Sequence, residues 1–180
     1  MKTLHEIRLY FAEVMKALNS QSLDGLVKAT DLLRNARKNN NNVWIVGNGG
    51  SASNASHLAN DLTKMAGIKA FSVPDMTSTT LAMGNDNGWN YMFIDTISKL
   101  YREGDLLFSI SCSGNSKNVV ACHEFIEHPT IVLTGCDRKC RLAEMNPDAI
   151  IYTESGDITI QESIHSTICH ALAVILRGEV

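Results

Sequence analysis

The stretch Val43-Trp44-Ile45-Val46-Gly47-Asn48-Gly49-Gly50-Ser51-Ala52-Ser53 decides the fold. Its first four residues are β-branched or aromatic and read as a buried strand. The glycines allow the backbone a tight turn. The run from residue 51 to about 64 then reads as a helix. A strand passing through a glycine turn into a helix is the opening of a parallel βαβ unit. The grain repeats downstream. Strands are expected over 68–73, 106–110, 130–133 and 149–152, and helices over 79–83, 91–101, 116–126 and 158–176. Alternating units of this length imply an α/β fold, its parallel sheet covered on both faces.

Upstream, Leu4, Ile7, Phe11, Val14 and Leu18 step by three and four, a narrow apolar seam on a first helix. Asn19-Ser20 interrupts it. A second helix carries Leu23, Leu26, Val27, Leu32 and Leu33, and ends in Arg37-Lys38 and the asparagine run 39–42. A seam this narrow suits packing against another helix, including one from a second subunit. The reading is a helical extension over 1–42 and one α/β domain over 43–180, with no internal repeat.

Composition narrows the function. The chain has 180 residues, 44% hydrophobic, enough for one domain with a real core. A net charge of −3 argues against direct nucleic-acid binding, which needs a basic surface. No apolar run approaches the roughly 20 residues of a membrane span. His5, Glu6 and Arg8 break the N-terminal apolar pattern, so no signal peptide is expected. Five cysteines without framework spacing fit a reducing cytoplasm and read as ordinary core or loop thiols.

Parallel sheets bind ligands beyond the carboxyl ends of their strands. Two such ends are rich in small polar residues: Gly47 to Ser53, and Ser109-Ile110-Ser111-Cys112-Ser113-Gly114-Asn115-Ser116. Each opens a helix, whose free N–H groups attract anions. Hydroxyls gathered beside such amides suit a phosphate. Neither stretch is a Walker loop, and neither keeps the GxGxxG spacing. His57 and Asp61, four apart, share the helix face opposite Ala55, Leu58, Ala59 and Leu62; that spacing suits two ligands of one metal or an acid/base pair. The last helix carries Gln161, Glu162, His165 and His170. Its apolar stripe is read as Ile164, Ile168, Ala171 and Ile175, leaving Glu162, His165 and His170 off it. Residues 85–88, Asn-Asp-Asn-Gly, read as a loop turn whose acid is able to touch a ligand.

Taken in order, GNGGSAS, the His/Asp pair, GND-x-G, REGD, S-x-SGNS-x-NV, LTG and a final helix with Gln-Glu and His resemble the phosphoheptose (sedoheptulose 7-phosphate) isomerases of the SIS (sugar isomerase) domain superfamily. The resemblance runs from about residue 43 to the end. It implies a single SIS domain: a five-stranded parallel sheet in a three-layer α/β/α sandwich with an N-terminal helical extension, assembled as a homotetramer. It further implies that Ser51, Ser111, Ser113 and Ser116 hold the sugar phosphate. Asn48, Gly49 and Asp86 belong to the same binding set, and Cys112 stands where the family usually has Thr.

The family's zinc ligands correspond to His57, Asp61, Glu162 and His170. Its acid/base pair corresponds to Asp61 and His170, with Asp61 one methylene shorter than the family Glu. On the last helix two alignments compete. One anchored on the final His selects Glu162, and one anchored on Gln-Glu selects Gln161. The first keeps the eight-residue separation and is preferred. Met65 replaces a family arginine. The resemblance therefore points to an aldose–ketose isomerase of sedoheptulose 7-phosphate with one zinc per subunit. Its alternative is a non-catalytic SIS module that binds a sugar phosphate or a protein such as a replication initiator.

Overall fold

The computed structural model describes residues 2–178. Five strands, β1 (Asn42–Val46), β2 (Lys69–Ser72), β3 (Leu106–Ser111), β4 (Thr130–Thr134) and β5 (Ala149–Tyr152), form one parallel sheet in the order β2-β1-β3-β4-β5. Among the described residues eight α-helices surround it: α1 (Lys2–Asn19), α2 (Asp24–Lys38), α3 (Gly50–Ala66), α4 (Thr77–Asn87), α5 (Met92–Ser98), α6 (Lys117–Phe125), α7 (Arg141–Glu144) and α8 (Ile158–Arg177).

Strand alternation splits the core in two. Val43 and Ile45, Phe108 and Ile110, and Ile131 and Leu133 point to one face, where they meet Leu33 of α2, Leu58 and Leu62 of α3, and Ile164 and Leu172 of α8. Trp44, Val46, Leu107 and Val132 point to the other, against Phe93 and Ile97 of α5 and Val119 and Cys122 of α6. The period of two along each strand thus builds the expected three layers.

Within the segment 1–42, α2 contributes Ala29, Leu33 and Ala36 to the first core. Helix α1 lies along α8, with Tyr10 Oη 3.4 Å from Ser163 Oγ. It buries Ala17 and packs Val14 inward, but leaves Leu4, Ile7, Phe11 and Met15 exposed.

Asp105, the acid of the REGD segment, ties the start of β3 to β1. Its buried carboxylate accepts hydrogen bonds from Asn42 N and Nδ2, Trp44 Nε1 and the Arg102 backbone N–H.

Two sequence expectations are corrected. Residues 85–87 are the last turn of α4 rather than a loop, and the chain turns only at Gly88, with φ +91°. On α8 the buried stripe is Ile164, Ile168, Leu172 and Leu176, and His165 is fully buried, whereas Ile175 is exposed. The buried face is turned by about 50° from the assumed one, because α8 packs against α3, α1 and α2 as well as the sheet.

Candidate functional site

The strand order reverses at β1. The chain moves outward from β1 to β2, then returns to the other side of β1 with β3. At such a switch point the loops leaving the two central strands diverge and open a crevice. Here those loops are the two small-residue stretches. Between them lies a cavity of about 170 Å³ lined by Asn48, Ser51, Ser111, Cys112, Ser113, Ser116 and Glu162.

Local geometry explains the sequence of both loops. Gly49 precedes α3 at φ +55°, a conformation side chains disfavour. A Cβ on Gly50 would run into the Glu162 carboxylate, so the bare position leaves that side chain its place beside the start of α3. Helices α3 and α6 both begin without a side-chain cap, leaving first-turn N–H groups for an anion. Ser111 Oγ and Ser116 Oγ lie 3.4 Å apart. Ser113 Oγ accepts from Asn115 N, so its own O–H is free to donate elsewhere.

Cys112 adds a thiol to the wall. Its Sγ lies 3.9 Å from His165 Nδ1, and His165 Nε2 donates to the Thr134 carbonyl at 3.2 Å. Burial pushes the His165 pKa down to about 4 against the opposing pull of the Thr134 carbonyl, so the ring is neutral. Burial, and then the neighbouring Glu162 carboxylate, push the Cys112 thiol up. It therefore remains a thiol, donating to Nδ1.

A second group gathers on the solvent side of the seam between α3 and α8. His57 Nε2 and His170 Nε2 are 2.8 Å apart, and Asp61 Oδ2 lies 3.2 Å and 3.9 Å from them. Among the described residues this is the set of His, Cys, Asp and Glu whose ligand atoms converge as a metal site requires. Two imidazole lone pairs facing each other need a proton or a cation between them. Two nitrogens and a carboxylate oxygen are a donor set that zinc accepts in sites with an open position. The residues present therefore fit a metal.

Glu162 is not in this group. Two turns earlier on α8, it lines the cavity instead. Gln161 does not line that cavity, is buried, and donates from Nε2 to the Ser155 carbonyl. Asp86 lies outside the cavity, exposed near the end of α4, with Asn85 Nδ2 donating to it. Gly49 flanks the cavity as the residue before α3. His165 is read from the sequence on the last helix with no role assigned to it, and Asn118 enters there only as the last Asn of S-x-SGNS-x-NV.

A crevice at the β1/β3 switch, walled by serine hydroxyls and helix N-termini, marks an α/β domain of the SIS type. The family model described as SIS domain matches residues 9–135. The phosphoheptose isomerase of Neisseria meningitidis serogroup C (strain FAM18) is 36% identical over 198 residues, covering 99% of this chain and 100% of the relative. That of Helicobacter hepaticus is 35% identical over 162 residues, covering 84% and 81%. Among solved structures, the phosphoheptose isomerase of Neisseria gonorrhoeae superposes with a TM-score of 0.88 at 28% identity, over 97% of this chain and 99% of that one. The chain belongs to the phosphoheptose isomerase branch of the SIS domain family.

Proposed function

We propose that this protein is a sugar-phosphate aldose–ketose isomerase that converts sedoheptulose 7-phosphate to a heptose 7-phosphate. The observation that carries the reading is the hydroxyl-walled cavity at the switch point. At about 170 Å³ it is smaller than the roughly 300–1,000 Å³ of a pocket that swallows a whole ligand, and suits a phosphate group. The rest of the sugar then extends along the α3/α8 seam. Ser51 and His57 are six residues apart on α3, about 9 Å along the axis, a span comparable to an extended seven-carbon chain. The kinship with phosphoheptose isomerases supports the same substrate.

In this reading Ser51, Ser111, Ser113 and Ser116 donate to the phosphate oxygens, aided by the first-turn N–H groups of α3 and α6. Asn48, Gly49, Cys112 and Glu162 border the sugar. Aldose–ketose interconversion moves a proton between C1 and C2 through an enediol. Asp61 takes the proton from the carbon, and His170 gives one to the carbonyl oxygen.

His57, Asp61 and His170 would hold a zinc ion; Glu162, the fourth ligand implied by the family pattern, lines the phosphate cavity instead. When bound, the metal stabilises negative charge developing on the sugar oxygens. The exposed apolar face of α1 supports assembly as a homotetramer, with residues 1–42 as the oligomerisation extension of an SIS domain over 43–180. No helix among the described residues is long and apolar enough to cross a membrane, and five unpaired thiols suit a cytoplasmic location.

Purified protein incubated with sedoheptulose 7-phosphate tests the reading. An aldose phosphate should accumulate. Binding without turnover favours the non-catalytic module instead.

A further inference from the structure

We propose that Asn118 is a positioning residue for substrate binding, acting through the side-chain amide of Asn48. The two amides form a reciprocal pair: Asn48 Nδ2 donates to Asn118 Oδ1 at 2.8 Å, and Asn118 Nδ2 donates to Asn48 Oδ1 at 2.9 Å. Asn118 is 0% exposed and does not line the cavity, so it has no route to a ligand. Asn48 does line it. A primary amide has two N–H donors and two acceptor lone pairs. The pair uses one of each on Asn48 and leaves one of each for a ligand.

The reason for the pairing lies in torsional freedom. The terminal torsion of asparagine is broad and weakly restrained. Alone, Asn48 would present its N–H and its carbonyl to the cavity in turn. Held on both sides by Asn118, it presents one fixed face. The pair also joins the two loops that form the site. Asn48 follows β1 in the loop carrying Ser51, and Asn118 opens α6 directly after Ser111, Ser113 and Ser116. It is a side-chain bridge across the crevice floor and sets the spacing between the two groups of hydroxyls. This inference rests on the proposed reading of the cavity as the sugar-phosphate site.

The experiment has two arms. The first needs no ligand. Side-chain amide protons of Asn48, identified by their loss in Asn48→Ala, are followed by hydrogen exchange in the NMR spectrum. They should exchange at least about fivefold faster in Asn118→Ala than in the wild type. Asn118→Asp, which is isosteric and still accepts from Asn48, should restore part of the protection. Equal exchange in wild type and Asn118→Ala overturns the proposal, whatever the protein's activity.

The second arm is a double-mutant cycle on sedoheptulose 7-phosphate. Asn118→Ala should weaken binding and raise KM about tenfold while kcat stays within about threefold. Asn118→Ser takes its place if the alanine variant does not fold. Because Asn118 acts through Asn48, the double variant should bind no more weakly than Asn48→Ala alone. Losses that simply add overturn the proposal. A wild type that binds no sugar phosphate contradicts the proposed function instead, and the exchange arm then decides the pair by itself.

Discussion

His57 and His170 face each other through their Nε2 atoms at 2.8 Å, across the seam between α3 and α8. Their side chains are about half exposed, while that of Asp61 beside them is only 13% exposed. A pair of rings so placed, with a mostly buried carboxylate completing the triangle, is chemically unfinished without a proton or a cation.

The metal prediction follows directly. Elemental analysis of the purified protein should find about one zinc per chain. His57→Ala removes one of three converging ligands and should reduce that content at least tenfold. An unchanged zinc content in the variant would place the metal elsewhere.

Phosphate affinity should depend on Ser113. Its hydroxyl already accepts from Asn115 N and has a hydrogen to give. A hydrogen bond to a charged oxygen is worth roughly 1.5–3 kcal/mol, so Ser113→Ala should weaken sugar-phosphate binding about tenfold or more. Calorimetry showing equal affinity would move the phosphate site.

Acid should destabilise the fold through two buried histidines. Burial lowers the His123 pKa to about 4, where its ring pairs with Ser109 Oγ, and lowers that of His165 equally. Between about pH 6.5 and pH 4 the unfolded chain therefore binds more protons than the folded one. The stability gained from the neutral rings is complete above pH 6.5 and is lost as pH falls through that window, roughly 3 kcal/mol for each ring. Urea unfolding with chelator present should show midpoints dropping from pH 7 to pH 4.5, and His123→Gln should flatten the slope. A flat profile in the wild type contradicts the assignment.

Assembly should depend on the outer face of α1. Phe11 and Met15 are exposed, whereas Val14 of the same helix packs toward the core. Replacing Phe11 and Met15 by Asp should therefore split a tetramer without unfolding its subunits. Light scattering that finds the wild type already monomeric contradicts the assembly.

The sheet, its helices and the two ligand loops were legible in the sequence because each rests on local chemistry. Short β-branched and aromatic runs such as Val43–Val46, and glycine followed by serine at a strand end, need no knowledge of the rest of the chain. What was hidden depends on the phase of one helix against several neighbours. His165 read as a surface residue because the assumed stripe on α8 ignored the helices packed beside it, α3 above all. The choice between Gln161 and Glu162 turned on contacts with Gly135 and Gly50, both distant in sequence, whose missing side chains admit Gln161 and Glu162 respectively. Asp105 was visible only as part of a motif. Three of its four hydrogen bonds join segments about 60 residues apart, which spacing cannot reveal.

The central claim is that Asp61 moves a proton on a bound sugar phosphate, and deuterium exchange tests it most directly. Sedoheptulose 7-phosphate is incubated with the protein in D2O, and loss of the C1 proton signal is followed by NMR. Wild type should introduce deuterium as the enediol forms and collapses. Asp61→Asn keeps the size and an oxygen but removes the base, so the exchange rate should fall by about 10²–10⁴-fold while sugar-phosphate binding persists. Exchange at the wild-type rate in Asp61→Asn, or a wild type that binds the sugar phosphate without exchanging its proton, would contradict the account.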